Sequence, residues 1–158
     1  MGRVRNGAIA LVAVVAATVL AGCTDETTGD KQTLNFTESD KDAHFAPIGN
    51  ATDRSNPPGS GFALSIPLQD SSKKAVGEIN AICISTKASP AHGNLEGTCS
   101  GTADVPDGQL VINVGGEVGN DVTGAIVGGT GKYEGATGTF TSKSSGQGSD
   151  DTFNITLP

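Results

Sequence analysis

The sequence is poor in aromatic side chains and in groups that commonly bind metals. It contains no tryptophan, one tyrosine, five phenylalanines and two histidines. Ligand pockets are usually rich in aromatic residues, so this scarcity favours binding or interaction over catalysis. His44 and His92 lie in no cluster with metal-ligand spacing, and His92 falls in a polar loop, so we expect no metal site and no cofactor.

Basic residues are also few, and two of them lie in a segment that we expect to be removed. Arg3 and Arg5 precede an uncharged, mostly apolar run over residues 6–19. A bilayer span needs about 20 apolar residues, so this shorter run after two positive charges predicts a signal peptide. Without it, eight basic residues face seventeen acidic ones, a net charge of −9. Such a surface repels a phosphate backbone and argues against nucleic-acid binding.

The end of the apolar run predicts a lipid anchor. Leu20-Ala21-Gly22-Cys23 resembles the bacterial lipobox, which implies cleavage after Gly22, a lipid on the Cys23 thiol and usually an acylated amine. Two or more acyl chains, palmitate among them, hold a protein stably on a membrane. The alternative is an ordinary signal peptide with a chance cysteine. We therefore expect a signal peptide over 1–22, a flexible polar tether over 23–31 and one domain over 32–158, on the extracytoplasmic face of the cell membrane or on an outer membrane.

The three cysteines predict one disulfide. If Cys23 carries lipid, Cys83 and Cys99 remain as a pair in an oxidising compartment. Opposed residues of a hairpin have a constant sum of residue numbers, which centres this turn at Ala91, inside a polar stretch. A bridge there closes a loop of about 15 residues, and it prevents Cys83 from acting as a nucleophile. Two unrelated buried thiols are the alternative.

The period of the apolar residues predicts strands rather than helices. Phe62, Leu64, Ile66 and Leu68 alternate with small or polar residues, as in a half-buried strand, and Pro67 belongs at a bulge or edge. Pro106-Asp107-Gly108 is a typical hairpin turn. About eight strands suggest a closed antiparallel β-barrel, with a two-sheet sandwich as the alternative. The predicted strands cover 32–37 with a resumption near 45, 62–68, 76–86, 94–103, 109–118, 122–127, 136–143 and 151–157.

A glycine-rich segment carries a family resemblance. It runs from Gly128 to Phe140 with the sequence GGTGKYEGATGTF and resembles the signature of the dirigent and allene oxide cyclase superfamily. A tight reversal of the chain is the expected role of three of its glycines, Gly128, Gly129 and Gly131. Close approach of neighbouring strands is the expected role of the other two, Gly135 and Gly138. A phosphate loop is excluded, since Ile126 and Tyr133 replace required residues. Packing is the expected role of Tyr133.

The resemblance implies an eight-stranded barrel around an apolar cavity. Allene oxide cyclases convert an unstable fatty-acid epoxide to a cyclopentenone, and dirigent proteins steer the coupling of phenoxy radicals, both without a cofactor. Glu38 is the nearest match to a glutamate that promotes epoxide opening; Asp40 and Ser65 fall where the cyclases carry asparagines, and Cys83 matches a cavity cysteine. No residue of 117–122 matches the catalytic tyrosine, which argues against authentic cyclase activity. Solvated loop carboxylates are the alternative for Glu38 and Asp40.

Two functional hypotheses remain open. In the first, the barrel binds a small apolar molecule and, if it is an enzyme, guides a cyclisation or coupling. In the second, the chain is a non-catalytic structural or protein-interaction lipoprotein whose barrel is filled by its own side chains. A continuous apolar cavity with Glu38 or Asp40 at its mouth would favour the first.

Overall fold

The computed structural model describes residues 29–51, 55–90, 95–119 and 121–158. The predicted signal peptide, Cys23, Ala91 and His92 lie outside these ranges. Within the described ranges, no helix is long and apolar enough to cross a membrane.

The described residues form almost only β-strands, joined by tight turns and a 3-10 turn at Asp40–Asp42. Alternating apolar residues and turn-forming Gly, Asp and Pro account for this arrangement. The strands are β1 Lys31–Thr37, β2 His44–Ile48, β3 Ser55–Asn56, β4 Gly61–Gln69, β5 Ala75–Ser85, β6 Ser89–Pro90, β7 Leu95–Val105, β8 Gly108–Val118, β9 Asp121–Gly131, β10 Thr137–Ser144 and β11 Ser149–Thr156.

The sheet closes into an eight-stranded antiparallel barrel, as the sequence predicts. The strand order is β1-β11-β10-β9-β8-β7-β5-β4, and Thr37 of β1 pairs with Gln69 of β4 to close the ring. β2 pairs with β4 further along, where Phe45 faces Leu64. β1 and β2 therefore pair with the same edge of β4, one after the other, and the 3-10 turn lies between them. The predicted resumption near Phe45 is confirmed, and the sandwich alternative is wrong.

One end of the barrel is filled by large side chains. Leu68, Leu110 and Phe153 are fully buried, and Tyr133 and Ile155 are each 2 % exposed. Leu68, Leu110, Phe153 and Ile155 project inward from their strands, because the side chains of a strand alternate between its two faces. Tyr133 packs against this end from the turn after β9. Their packing closes this end against solvent and leaves open space only toward the other end.

The turn after β9 supports that filled end. Gly131 and Gly135 have φ angles of 63° and 72°, a region that favours glycine. Gly135 therefore differs from the expectation, because it belongs to the reversal itself and not to a close approach between strands. The hydroxyl of Tyr133 donates a hydrogen bond of 2.9 Å to the carbonyl oxygen of Pro106, so this side chain closes the end of the barrel as a packing residue.

The other glycines of the segment have different roles. Gly128 and Gly129 differ from the expectation, because they lie within β9 before the reversal and have no positive φ. At Gly129, a Cβ would lie 2.4 Å from the Tyr133 carbonyl oxygen, so close packing leaves no room for a side chain at this position. At Gly138, a Cβ would lie 1.9 Å from the carbonyl oxygen of Asn154 on β11, a close approach between strands.

Candidate functional site

The barrel encloses an apolar cavity of about 120 Å³. Ile79, Ile112, Val114 and Phe140 form much of its wall. Small inward residues at neighbouring positions, Ala81 on β5 and Gly101 on β7, leave this space open. A cavity of about 150 Å³ is known to accept benzene, so the volume corresponds to roughly one aromatic ring. The interior is therefore not completely filled by side chains.

The cavity opens into a wider vestibule of about 650 Å³ at the open end of the barrel. Glu38, Leu64 and Ser142 are among the residues that line both spaces, so they mark the junction. Phe45 and Phe62 line the vestibule with their ring centroids 5.8 Å apart in an edge-to-face arrangement. A volume of this size falls in the range of small-molecule sites.

Glu38 lies at the junction because it continues the inward face of β1 two residues after the buried Phe36. Its backbone N–H donates a hydrogen bond of 2.9 Å to the carbonyl oxygen of Ser149, at the start of β11. Gly148 packs against the Glu38 carbonyl so closely that a Cβ there would lie 2.1 Å from the oxygen. The loop between β10 and β11 thus fixes the position of Glu38.

The environment of Glu38 favours the protonated carboxyl. Burial is the largest cause, followed by the negative charge of Asp151, a side-chain hydrogen bond with Asp151 and the charge of Asp40; together they raise the pKa of Glu38 to about 9. At neutral pH, Glu38 is therefore a neutral acid that can donate a hydrogen bond. Asp40 is exposed and lines only the vestibule.

Asp151 is a part of the site that the sequence analysis missed. It is 1 % exposed, and it is directly opposed to Phe36 on β1 and to Ser142 on β10. Burial raises the pKa of its carboxyl, while interactions with Ser142 and Glu38 oppose that shift. Among the described residues, none gives its oxygens a hydrogen bond of normal geometry, so the approach of these two side chains falls short of a full bond.

The signal for Asp151 was present in the sequence. Asp151, Phe153 and Ile155 alternate along β11, and all three are buried. An acidic residue in phase with two apolar ones predicts a carboxyl inside the barrel. Only the closed sheet shows that this carboxyl lies beside Glu38.

The predicted disulfide is confirmed and forms part of the cavity wall. Cys83 on β5 and Cys99 on β7 are directly opposed in the register, and their Cα atoms are 4.0 Å apart. They are 1 % and 7 % exposed to solvent, and both line the cavity. Because the sulfurs are bonded to each other, Cys83 is not available as a thiolate nucleophile.

The remaining candidates lie away from the cavity. Ser65, where the resemblance implies an asparagine, alternates with the inward residues of β4 and donates a hydrogen bond to Glu78. His44 on β2 pairs with Ser65 and is exposed. Tyr133 is buried at the filled end. Of the residues predicted from the resemblance, Glu38, Asp40 and Cys83 border the cavity or its vestibule.

Solved structures of a demethylase and of two dirigent proteins share this barrel. No protein-family model and no curated protein matches the chain. Pyocyanin demethylase matches with a TM-score of 0.64 and 21 % identity, over 80 % of this chain and 100 % of its own. Two pterocarpan synthase dirigent proteins also match. GePTS1 has a TM-score of 0.55 and 21 % identity, over 82 % of this chain and 92 % of its own. PsPTS1 has a TM-score of 0.54 and 20 % identity, over 82 % of this chain and 97 % of its own. At these identities, the similarity establishes a dirigent-like barrel fold.

Proposed function

We propose that the barrel binds a small apolar molecule in its cavity and that the protonated carboxyl of Glu38 donates a hydrogen bond to it. The observation that carries this proposal is the open apolar cavity with Glu38 at its junction with the vestibule. The cavity accepts about one ring, and the vestibule has room for the rest of a longer molecule.

The chemistry available to the site is that of a buried acid. A neutral carboxyl in an apolar wall donates a hydrogen bond to a carbonyl, ether or ring acceptor without the cost of burying a charge. If the bound molecule is reactive, the same proton can be transferred to an oxygen or nitrogen as charge develops there. Guidance of a cyclisation or coupling would use this acid together with the shape of the cavity.

The solved structures with this fold support a small-molecule role. They are those of a pyocyanin demethylase and of two pterocarpan synthase dirigent proteins. The alternative, a purely structural barrel filled by its own side chains, is disfavoured by the open cavity.

Binding can be tested with a variant that fills the cavity. Ala81 faces inward and lines the cavity, whereas the adjacent Ile82 is 54 % exposed. We expect Ala81→Leu to weaken binding of the neutral fluorescent probe N-phenyl-1-naphthylamine at least tenfold, because the added methyl groups occupy the ring site. Ile82→Ala should bind as the unaltered protein does. Native mass spectrometry of the purified protein would identify molecules that co-purify. Equal binding by both variants would contradict the proposal.

We also propose that the barrel is held on the extracytoplasmic face of a membrane by lipid on Cys23. The support is the Leu20-Ala21-Gly22-Cys23 sequence, the preceding apolar run and the polar residues that follow. In the native host, Cys23→Ser should abolish incorporation of labelled palmitate and move the protein out of the membrane fraction, whereas Thr24→Ala should do neither. Labelling of the Cys23→Ser protein would disprove this anchor.

A further inference from the structure

The acidic groups at the cavity lack partners of opposite charge. Asp151 is 1 % exposed, and neither of its carboxyl oxygens has a hydrogen-bond partner of normal geometry among the described residues. The side chains that interact with it, Glu38 and Ser142, both line the cavity. Buried carboxyl groups are normally paired or hydrogen-bonded, and the interactions of this one connect it to the ligand space through Glu38 and Ser142.

In the part of the chain that the structure describes, no basic side chain lines the spaces beside these carboxyl groups. Glu38 lines the cavity, Glu38 and Asp40 line the vestibule, and no described lysine, arginine or histidine lines either space. Asp150 adds a further negative charge near Asp151. Among the described residues, the charged groups that a ligand meets in the two spaces are therefore all acidic.

Organic acids are poorly suited to this site. An anionic ligand would lose its hydration and would then lie near the negative charge of Asp151, with no basic side chain among the described lining residues, which costs free energy twice. A nitrogen base avoids both costs. When it enters neutral, its lone pair accepts a hydrogen bond from the protonated Glu38.

A protonated base fits the same position. Its N–H donates to an ionised Glu38, so the complex contains one proton between nitrogen and oxygen in either case. The proton moves only between the nitrogen lone pair and a carboxyl oxygen of Glu38, and the total charge of the complex does not change. A charge-assisted hydrogen bond of this kind is stronger than a neutral one.

Resting on the proposed function, we propose that the barrel selects its ligand by charge: it takes an apolar ring compound with a weakly basic nitrogen and rejects organic acids. Glu38 is the residue that contacts the nitrogen, and Asp151 holds Glu38 in place behind it.

Three compounds that share one bicyclic aromatic frame test this selection. Quinoline differs from naphthalene by one ring nitrogen, and 2-naphthoate adds a carboxylate. At neutral pH, we expect the protein to bind quinoline about tenfold more tightly than naphthalene, as a hydrogen bond to a carboxyl group provides. The protein should bind 2-naphthoate at least tenfold more weakly than naphthalene. Titrations followed by NMR or by the ultraviolet absorption of the ligand give the three dissociation constants.

Two variants assign the preference to Glu38. Glu38→Leu removes the donor, so the ratio of the quinoline affinity to the naphthalene affinity should fall to about one, and measurable naphthalene binding shows that the cavity is intact. Glu134→Gln changes an exposed carboxyl in the turn after β9, away from both spaces, and should keep the advantage. If naphthalene binds and quinoline gains nothing, or if 2-naphthoate binds equally well, charge selection is disproved and the proposed function stands. If none of the three binds, both proposals fail.

Discussion

Cys83 and Cys99 face each other across β5 and β7, and their disulfide forms part of the wall of the apolar cavity. The bond links two adjacent strands of the barrel beside Ala81 and Gly101, where the wall has little side-chain volume. It therefore contributes to the stability of the barrel and to the shape of the ligand space at the same position.

Removal of the disulfide should destabilise the protein and alter the cavity. We expect the double variant Cys83→Ala/Cys99→Ala to lose about 2–4 kcal/mol of unfolding free energy, because the unfolded chain regains the entropy of an open loop. Urea denaturation measures the loss, and wild-type protein under reducing conditions should show a similar one. An unchanged midpoint in both samples would contradict this assignment.

The burial of Glu38 should make the stability fall as the pH rises from about 5 to about 9. Its pKa rises from an ordinary 4.5 to about 9 in the folded protein, so folding disfavours the ionised form. The contribution of Glu38 to stability is complete below about pH 4.5 and is lost as the pH rises through about 9. The unfolding free energy lost over this range is on the order of several kcal/mol.

Glu38→Gln tests this dependence. The amide does not ionise, so we expect the variant to gain stability over the wild type progressively between pH 5 and pH 9, about the window that the Glu38 pKa values define. Asp40→Asn, a change in an exposed carboxyl, should retain most of the wild-type decline. Thermal unfolding at a series of pH values provides the measurement. Parallel curves for wild type and Glu38→Gln would show that Glu38 is not buried as an acid.

Asp151 should control the ionisation of Glu38. The negative charge of Asp151 and the close approach of its carboxyl to that of Glu38 are both causes of the raised pKa of Glu38. Asp151→Asn removes the charge and retains the shape, so we expect the pKa of Glu38 to fall, though not to 4.5, because burial remains the largest cause. NMR titration of the Glu38 side-chain carboxyl carbon measures this value. A pKa that stays at about 9 would mean that burial alone sets it.

Gly148 should position Glu38 through backbone contact. A Cβ at Gly148 would lie 2.1 Å from the Glu38 carbonyl oxygen, so Gly148→Ala must displace this segment. We expect several-fold weaker probe binding and a lower pKa for Glu38, because the displaced carboxyl becomes more hydrated. Gly115→Ala is the matched control, since a Cβ there meets no atom within 4 Å. Equal behaviour of the two variants would show that the loop does not hold Glu38.

Much of the fold follows from local patterns. Phe62, Leu64, Ile66 and Leu68 alternate in sequence and share the inward face of β4, and the predicted strands agree with the observed ones to within a few residues at their ends. The opposition of Cys83 and Cys99 follows from their spacing around one turn, because opposed residues of a hairpin lie at equal distances in sequence from the centre of the turn. The roles of Gly128 and Gly129 were not predictable in this way, since the reversal could start at any glycine of the segment.

The candidate site was only half predictable. Glu38 was identified by resemblance, and its alternative as a solvated loop carboxylate could not be decided from the polar residues around it. Asp151 could have been identified as an inward residue from its alternation with Phe153. The contact between the two carboxyl groups depends on β1 pairing with β11, which brings opposite ends of the domain together.

The sequence by itself determined the strands, their inward faces and the position of the disulfide, because each depends on alternation or spacing within a short stretch of chain. Only the tertiary structure decided that the sheet closes, that one end fills while the other stays open, and that Glu38 lies beside Asp151. The physical reason is that a cavity is the volume left when side chains from all eight strands have packed. Likewise, the ionisation of a carboxyl depends on neighbours that are distant in sequence.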